Sequence, residues 1–462
     1  MDFLEKRFHL SKNNTTVRTE IVAGITTFLT MAYIIILQPL VLTGRLNLME
    51  TGMDFGAVAF ATCVSAALAT LIMGLHANYP IAQAPGMGEN FFFVLTVIPA
   101  VAAAGVKDPW KVSLGIVFVS GILFLLITLF NLREVVINAI SPSMKNAIAV
   151  GIGLFIAFIG LQNARIVVDS PGTLLSLTKD FASPEILVFL FGLIVTSVLH
   201  VRRVKGSILI GILSSTALCL VAGGLSRIVP VGYLKLFADK VTVPEGFFFL
   251  SLPPNPAQTF LKMDVLGALR LSFVPLIIVF LFMDVFDTIG TFIGVAEHMG
   301  VVKDNKIPRI KKALLSDAVG TAVGAVFGTS TVTSYIESST GVEQGGRTGL
   351  TAVTVSALFV LALFFEPVIK IIAQFPPITA PALVIVGAMM IKNVSKVDWH
   401  DYTEAIPSFL ILLAIPLTYS ISDGLAFGLV LYPVIKLFSG KGREINWVSY
   451  LLAVLFVARY LM

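Results

Sequence analysis

The chain has 462 residues, of which 56% are hydrophobic and only 13% are charged, and its mean hydropathy is +0.93. Soluble globular chains carry about 25% charged residues, so this composition excludes a soluble enzyme, a disordered scaffold and a disulfide-rich secreted domain. Both cysteines, Cys63 and Cys219, lie in apolar stretches and imply no disulfide framework. No basic polar domain accompanies the net charge of +5, so we expect no nucleic-acid partner.

Long apolar runs alternate with short polar loops along the chain. A membrane-spanning helix needs about 20 mostly apolar residues. Regular spans are predicted at 20–42, 55–75, 112–131, 146–163, 185–200, 206–226, 272–296, 313–328, 349–366, 379–392, 405–421 and 423–438. Two further segments, 80–100 and 329–345, have the position of spans but are interrupted by Pro, Gly, Ser and Thr. The sequence therefore predicts an all-α polytopic membrane protein with about fourteen transmembrane segments in contact with membrane lipid.

The basic residues indicate an orientation. With a cytoplasmic N-terminus, the predicted cytoplasmic loops hold Lys6, Arg7, Lys12, Arg18, Arg133, Lys145, Arg202, Arg203, Lys205, Lys303, Lys306, Arg309, Lys311, Lys312, Lys392, Lys396, Lys436, Lys441 and Arg443. This is the positive-inside distribution, so we expect an integral protein of the plasma membrane with its N-terminus in the cytoplasm. The final apolar stretch, 445–461, either spans the membrane or lies at its interface.

The sequence contains an internal repeat. Residues 131–153 resemble residues 363–387, so that Pro142 pairs with Pro376 and Gly153 with Gly387. The two interrupted segments occupy matching places in the two halves. With seven segments in each half, the second half begins on the opposite side of the membrane, which makes the repeat inverted. The predicted divisions are a cytoplasmic leader (1–19), a first repeat (20–229), an extracellular loop (230–263), a second repeat (264–440) and a C-terminal hydrophobic helix (441–462).

Each interrupted segment reads as a short extended stretch followed by a half-helix. The extended stretches are 81–84 and 331–333, and they are expected to pair as antiparallel strands near the membrane midplane. Non-helical backbone at that depth is tolerated only where protein buries it or where it lines a cavity. The half-helices would direct their N–H groups to the centre, which suits a planar ligand rich in acceptors. The alternative is a pair of ordinary kinked helices.

Ionisable residues inside spans are costly and indicate functional sites. Asp284 and Asp287 are followed by Thr288 and Thr291, and this spacing predicts that all four share one helix face. Glu337 lies in the second interrupted segment. Asp287 and Glu337 are expected to contact a ligand, whereas Asp284 either contacts it or only orients its partner acid.

Other acids remain open to two interpretations. Asp317 is either functional or a helix cap, and Glu89 is either a charge facing a cavity or a structural partner. In the Phe91–Phe93 run, most rings should pack or face lipid, while one ring at the site could stack on a ligand. The five histidines have no metal-ligand spacing, and no phosphate loop or nucleophile motif is present. We therefore expect no metal, no cofactor and no enzymatic activity.

Six motifs resemble the xanthine/uracil permease superfamily of nucleobase–cation symporters, and most closely its AzgA-like branch of hypoxanthine, guanine and adenine permeases. In chain order they are AGITTFLTMAYIIILQP, APGMGENFFF, FDTIGT, SDAVGTAVGAVFGTSTVTSYIESSTGV, GGRTGLTAV and PLTYSISDGLAFG. The resemblance extends over nearly the whole chain. It implies a seven-plus-seven inverted repeat divided into a core domain and a gate domain, with a short strand and a half-helix in the third and tenth segments.

The resemblance also implies roles for particular residues. Asp287 and Glu337 are expected to hydrogen-bond the base, Asn90 to be a polar contact and Phe92 a stacking ring. Asp317 resembles an acid needed for transport. The expected substrate contacts are Asn90, Phe92, Asp284, Asp287, Glu337 and Ser338. The expected residues for proton coupling or gating are Asp287, Thr291, Asp317 and Glu337. Many AzgA-like chains have an apolar residue where this chain has Glu89.

These features predict a secondary transporter that imports purine nucleobases. A buried acid without a fixed cation favours its neutral form, so proton symport with alternating access is the expected mechanism, with sodium as the alternative ion. Other interpretations are a uracil or xanthine permease of the same fold and an anion transporter sharing that fold. An anion transporter should place Arg or Lys, not acids, at the half-helix ends. A homodimer is a further expectation.

Overall fold

The computed structural model describes residues 2–46, 48–130, 140–228, 234–237, 240–244, 246–301 and 307–461. In those ranges, nine helices are long and apolar enough to cross a membrane. In chain order the helices are α1 (Asp2–Phe8), α2 (Val17–Met31), α3 (Ile34–Leu42), α4 (Phe55–Ile72), α5 (Met87–Phe92), α6 (Ile98–Ala103), α7 (Pro109–Leu129), α8 (Pro142–Asn163), α9 (Pro184–Val201), α10 (Ser207–Ile228), α11 (Val265–Ala268), α12 (Val274–Met299), α13 (Ile310–Phe327), α14 (Ser338–Glu343), α15 (Gly349–Ala362), α16 (Glu366–Ile372), α17 (Ala380–Met390), α18 (Tyr402–Thr418), α19 (Ile421–Phe438) and α20 (Trp447–Leu461).

Several sequence predictions need adjustment at the ends of elements. The predicted span 20–42 is divided, because α2 ends at Met31 and α3 begins at Ile34. The final apolar stretch forms α20, which packs on α19. Arg133, Lys303, Lys306 and the start of the first repeat motif lie outside the described residues. The divisions between leader, repeats and loop stay predictions.

The two interrupted segments form strands that pair with each other. Strand β1 (Gln83–Pro85) runs antiparallel to β4 (Val332–Ser334), and Ala84 lies opposite Thr333. A hairpin of β2 (Val167–Ser170) and β3 (Leu174–Leu177) lies apart from them. Half-helix α5 begins two residues after β1, and α14 begins four residues after β4. The prediction of two paired strands, each followed by a half-helix, is therefore confirmed.

The long helices pack in two groups. In the first group, α13 packs on α7 and α4, and α15 packs on α2 and α4. In the second group, α8 packs on α17 and α18, α18 packs on α19, and α9 packs on α10. The strands and half-helices sit with the first group, because β1 contacts α4 and β4 contacts α13 and α12. We call the first group the core and the second group the gate.

Two glycines that the repeat pairs in sequence touch each other in space. Gly153 lies on α8 and Gly387 on α17, and a Cβ on Gly387 would stand 2.3 Å from the Gly153 carbonyl oxygen. Only residues without a side chain allow the two backbones to approach so closely. Contact between equivalent positions is the arrangement that a two-fold axis between the halves produces. The packing therefore agrees with an inverted repeat whose axis passes between α8 and α17.

A buried acid joins two helices of the core, α2 and α15. Glu20 of α2 is fully buried and accepts bonds from the backbone N–H of Arg347 at 2.8 Å and of Thr351 at 3.1 Å. The Thr351 hydroxyl donates to the same carboxylate at 2.6 Å. These donors lie at the start of α15, where unpaired N–H groups and the helix dipole favour a negative charge. Glu20 therefore fixes α15 against α2 and holds the loop before α15 in place.

Candidate functional site

One face of α12 becomes exposed halfway along the helix. Residues 279–285 are buried, whereas Asp287, Gly290, Ile293 and Glu297 are exposed. Their spacing of three and four residues puts them on one face. We call these four residues the α12 face. Asp287 is the member furthest from the C-terminal end of α12, which is at Met299. The other exposed positions lie between Asp287 and that end, so its carboxylate is accessible from there.

The paired strands hold the two acids that the sequence singled out. The Thr333 hydroxyl of β4 donates to Asp287 Oδ2 at 2.9 Å. Glu337, three residues after β4, is half-buried and accepts a bond from the Tyr33 hydroxyl at 2.7 Å on Oε1. The two carboxylates interact electrostatically. Because each carboxylate accepts its side-chain hydrogen bond on one oxygen, the other oxygen is available to an incoming N–H donor.

Asp317 lies deeper and is fully bonded. Its Oδ1 accepts from the Ser334 hydroxyl at 2.7 Å and from the Gln83 side-chain amide, and its Oδ2 accepts from the Thr288 hydroxyl at 2.6 Å. These donors come from β4, β1 and α12. Helix α13 begins seven residues earlier, at Ile310, so Asp317 is not a helix cap. The carboxylate joins three elements at the centre of the core.

The four polar residues of α12 do not share one environment. Asp284, Thr288 and Thr291 are buried, whereas Asp287 is exposed. All four lie on α12 at the predicted spacing, but Asp287 differs from the other three in its exposure. Asp284 accepts a bond from Thr321 of α13, whereas Asp287, about one turn further along the helix, accepts one from Thr333 of β4 at the opening.

Asp284 is bonded inside the core. Its Oδ2 accepts from the Thr321 hydroxyl at 2.7 Å, and that hydroxyl lies 3.0 Å from the Val332 carbonyl oxygen. Its Oδ1 has no partner among the described residues. The structure thus places Asp284 behind β4, on the side away from the α12 face. This position fits the orienting role left open by the sequence.

The remaining predicted contacts are covered in this conformation. Asn90 is fully buried, and its Oδ1 accepts from the Ser330 hydroxyl. Ser338 is fully buried, and its hydroxyl oxygen accepts from the Ala82 N–H at 3.0 Å. The Phe92 ring is fully buried with its edge towards Phe280, at a centroid distance of 4.7 Å. Their roles as substrate contacts stay predictions.

Sequence reasoning did not identify three residues that support these acids. Tyr33 lies in the break between α2 and α3, 304 positions from its partner Glu337. Gln83 and Thr333 lie on the paired strands. Polar side chains in the extended stretches were a usable signal for the last two. Tyr33 gave none, because a single tyrosine in an apolar run is normally a packing residue.

The site contains acids without matching cations. Within the described ranges, none of the eight ion pairs includes Asp284, Asp287, Asp317 or Glu337. In the same part of the chain, no group of three or more His, Cys, Asp or Glu residues could hold a metal ion. The site is therefore a set of hydrogen-bond acceptors, two of them at an accessible edge.

Loss of the Tyr33 hydroxyl should alter the site without disrupting the fold. In Tyr33→Phe the ring still fills its buried position, but Glu337 loses a donor that stabilises its charged form. For the proton symport predicted from the sequence, we expect the pH at which uptake is half-maximal to rise and substrate affinity to fall about 10- to 100-fold, as for one hydrogen bond to a charged group. Uptake measured between pH 5 and 8 tests this. An unchanged pH profile would contradict the assigned role.

A comparison with known families identifies the chain. Residues 18–427 match the family model Xan_ur_permease, described as a permease family. The chain belongs to this permease family. Membership agrees with the expectation of a non-enzymatic membrane protein, and with nine apolar helices in the described residues it makes the permease an integral membrane transporter.

Relatives match the permease over nearly its full length. It is 48% identical to a putative permease of Methanocaldococcus jannaschii, with 100% of this chain and 98% of the relative covered. It is 41% identical to the guanine/hypoxanthine permease PbuO of Bacillus subtilis, covering 97% and 98% of the two chains. It is 36% identical to the adenine permease AdeP of Escherichia coli, covering 99% and 95%.

Solved structures with the same fold are more distant. The transmembrane domain of the cyanobacterial bicarbonate transporter BicA matches with a TM-score of 0.61 at 15% identity, covering 89% of the permease and 96% of that chain. The murine Slc26a9 anion transporter in its inward-facing state matches with a TM-score of 0.58 at 11% identity, covering 91% and 68%. At these identities the likeness shows the fold alone. The predicted all-α polytopic architecture of inverted repeats is confirmed.

Proposed function

We propose that this permease imports purine nucleobases (hypoxanthine, guanine or adenine) by proton symport with alternating access. The observation that supports it most is a pair of carboxylates, Asp287 and Glu337, beside the paired strands β1 and β4. Asp287 is exposed at the inner end of the α12 face. Relatives of 36% to 41% identity that are named for guanine, hypoxanthine and adenine support the choice of substrate.

The chemistry of the site fits a planar base with N–H groups. A purine carries ring N–H donors on its edge, and a carboxylate forms shorter and stronger bonds with such donors than a neutral acceptor does. Asp287 Oδ1 and Glu337 Oε2 are the atoms that would accept them, since Thr333 and Tyr33 bond the other oxygens. Thr333 and Tyr33 would thus orient the two acids towards the base.

Proton coupling follows from the same acids. A carboxylate in a low-dielectric site without a cation binds a proton more readily than in water. Asp287 or Glu337 would take a proton with the base on one side and release both on the other, while the gate rocks against the core. Sodium is the alternative ion. Vesicles with an imposed pH gradient or an imposed sodium gradient separate the two, because only the coupled ion drives accumulation.

An anion substrate fits these residues poorly. The acids Asp287, Glu337 and Glu89 lie where an anion site needs Arg or Lys, and the described part of the chain shows no ion pair with them.

Uracil and xanthine are the alternative substrates within the same fold. Both offer N–H donors as the other bases do, so competition by each of them has to be measured.

Membrane placement is also part of the proposal. We place the N-terminus in the cytoplasm of a plasma-membrane protein, which puts Arg309, Lys311 and Lys312, just beyond the end of α12, on the same side. The α12 face would then open to the cytoplasm. Exposed apolar side chains on α9 and α10, such as Ile194 and Val221, would contact lipid. A homodimer is proposed as the assembly and is tested by crosslinking in membranes.

The proposed function is tested by uptake in cells that lack their own purine permeases. We expect the permease to take up radiolabelled hypoxanthine, adenine or guanine to compete with it, and uracil not to compete. A proton uncoupler should abolish accumulation. Uptake that uracil or xanthine blocks best would favour the alternative permease, and no uptake of any base would contradict the proposal.

A further inference from the structure

We propose that Glu89 is a specificity-determining residue of the substrate site and that its carboxylate selects purines with an exocyclic amino group, adenine and guanine, over hypoxanthine. The proposal rests on the proposed function and deepens it, because it concerns which purine the same site prefers.

The Glu89 carboxylate lies beside the residues that hold Asp287. Glu89 is the third residue of half-helix α5 and is 3% exposed. A Cβ on Gly86 would stand 2.2 Å from Glu89 Oε2 and 2.6 Å from Thr333 Cγ2, so the carboxylate and the threonine side chain are neighbours. The hydroxyl of the same threonine donates to Asp287 Oδ2 at 2.9 Å. Glu89 and Asp287 therefore flank one side chain of β4.

The neighbours of Glu89 do not account for a glutamate at this position. Among the described residues, no side chain donates a hydrogen bond to it, and its charged neighbours are the acids Asp284, Asp287 and Asp317. Within the same ranges no lysine or arginine pairs with it. A buried carboxylate among acids is costly unless it is hydrogen-bonded. A ligand that brings N–H donors would supply the missing bonds.

The bases differ at the positions such an acceptor would detect. Guanine is hypoxanthine with an amino group in place of the hydrogen on C2, and adenine has an amino group where hypoxanthine has a carbonyl oxygen. An amino N–H can bond a carboxylate, whereas a C–H or a carbonyl oxygen cannot. A site that bonds a substrate N–H discriminates against the analogue lacking it, because the buried acceptor is then left unpaired. Three acceptors, Glu89, Asp287 and Glu337, therefore favour the donor-rich bases.

The experiment compares the inhibition constants of unlabelled bases against radiolabelled hypoxanthine in cells producing the permease. For the wild type we expect guanine or adenine to bind about 10- to 100-fold more tightly than hypoxanthine, the range of a hydrogen bond to a charged group. In Glu89→Leu this ratio should fall to near one, because no buried acceptor then distinguishes the three bases. Glu89→Gln, which keeps a carbonyl acceptor, should give an intermediate ratio. Glu50→Leu, at an exposed acid, is the matched control.

The outcomes separate this proposal from the proposed function. Equal affinities for the three purines in the wild type would overturn the role of Glu89 even if no variant reached the membrane. A wild-type preference that Glu89→Leu leaves unchanged would also overturn it. In both cases transport of purines would stand. If the wild type transports no purine, the proposed function itself fails.

Discussion

Replacing Asp287 with Asn should abolish concentrative uptake of purine bases while the protein still inserts into the membrane. The amide keeps the shape of the side chain and its contact with Thr333, which lies 2.9 Å from the carboxylate. It loses the charge that would bond a ring N–H and the ability to carry a proton. We expect substrate affinity to fall about 10- to 100-fold and proton-driven accumulation to disappear.

Glu337→Gln should have the same effect, because Glu337 is the second acid beside the paired strands β1 and β4. Initial rates of uptake, divided by the amount of protein in the membrane fraction, measure both variants. Asp169→Asn, in an exposed hairpin, and Glu50→Gln are matched controls that should transport at the wild-type rate. A wild-type rate in Asp287→Asn or in Glu337→Gln would refute the assignment of that acid.

Gly349→Ala should prevent the core from packing. A Cβ on Gly349 would stand 1.9 Å from the carbonyl oxygen of Gly74, and the atom it meets belongs to backbone, which no side-chain rotation can move away. Helix α15 begins at this residue, and α4 is continued by the turn that contains Gly74. Overpacking a well-filled interior costs about 1–3 kcal/mol or more, and we expect the upper end here.

Thermal unfolding of the detergent-extracted protein measures this effect, together with the fraction that elutes as a single species in size-exclusion chromatography. Gly224→Ala is the matched control, since Gly224 also lies in a helix and a Cβ there meets nothing within 4 Å. That variant should gain about 1 kcal/mol, the preference of alanine over glycine in a helix. Equal melting temperatures for Gly349→Ala and the wild type would contradict the close approach of α4 and α15.

The interruptions in the sequence were sufficient to predict the centre of the fold. The residues before Met87 and Ser338 cannot continue a regular apolar helix, and both interruptions occur at matching places in the repeat. Backbone that is not helical at membrane depth has to find partners. Pairing of the two extended stretches was the simplest solution, and the register of Ala84 with Thr333 agrees with it.

The assignment of the acids was predicted less completely. Periodicity put Asp284 and Asp287 on one face, but which of them is exposed depends on the distance at which α13 and β4 pack against α12. Local sequence does not encode that distance. The partners of the acids were also out of reach, because Tyr33 bonds Glu337 across 304 positions and Gln83 bonds Asp317 across 234. Contacts of that range form only when the whole core is assembled.

The pairing of β1 with β4 has a consequence for biosynthesis. Gln83 lies 251 positions before its partner Ser334, so β1 is made and enters the membrane long before β4 leaves the ribosome. Until then the groups that bond the second interrupted segment, such as the Ala82 carbonyl and the Gly86 N–H, have no partner there, and leaving such groups unpaired in lipid is costly. The N-terminal half therefore has no complete fold of its own, and a nascent chain truncated before Val332 should remain a substrate for membrane quality control.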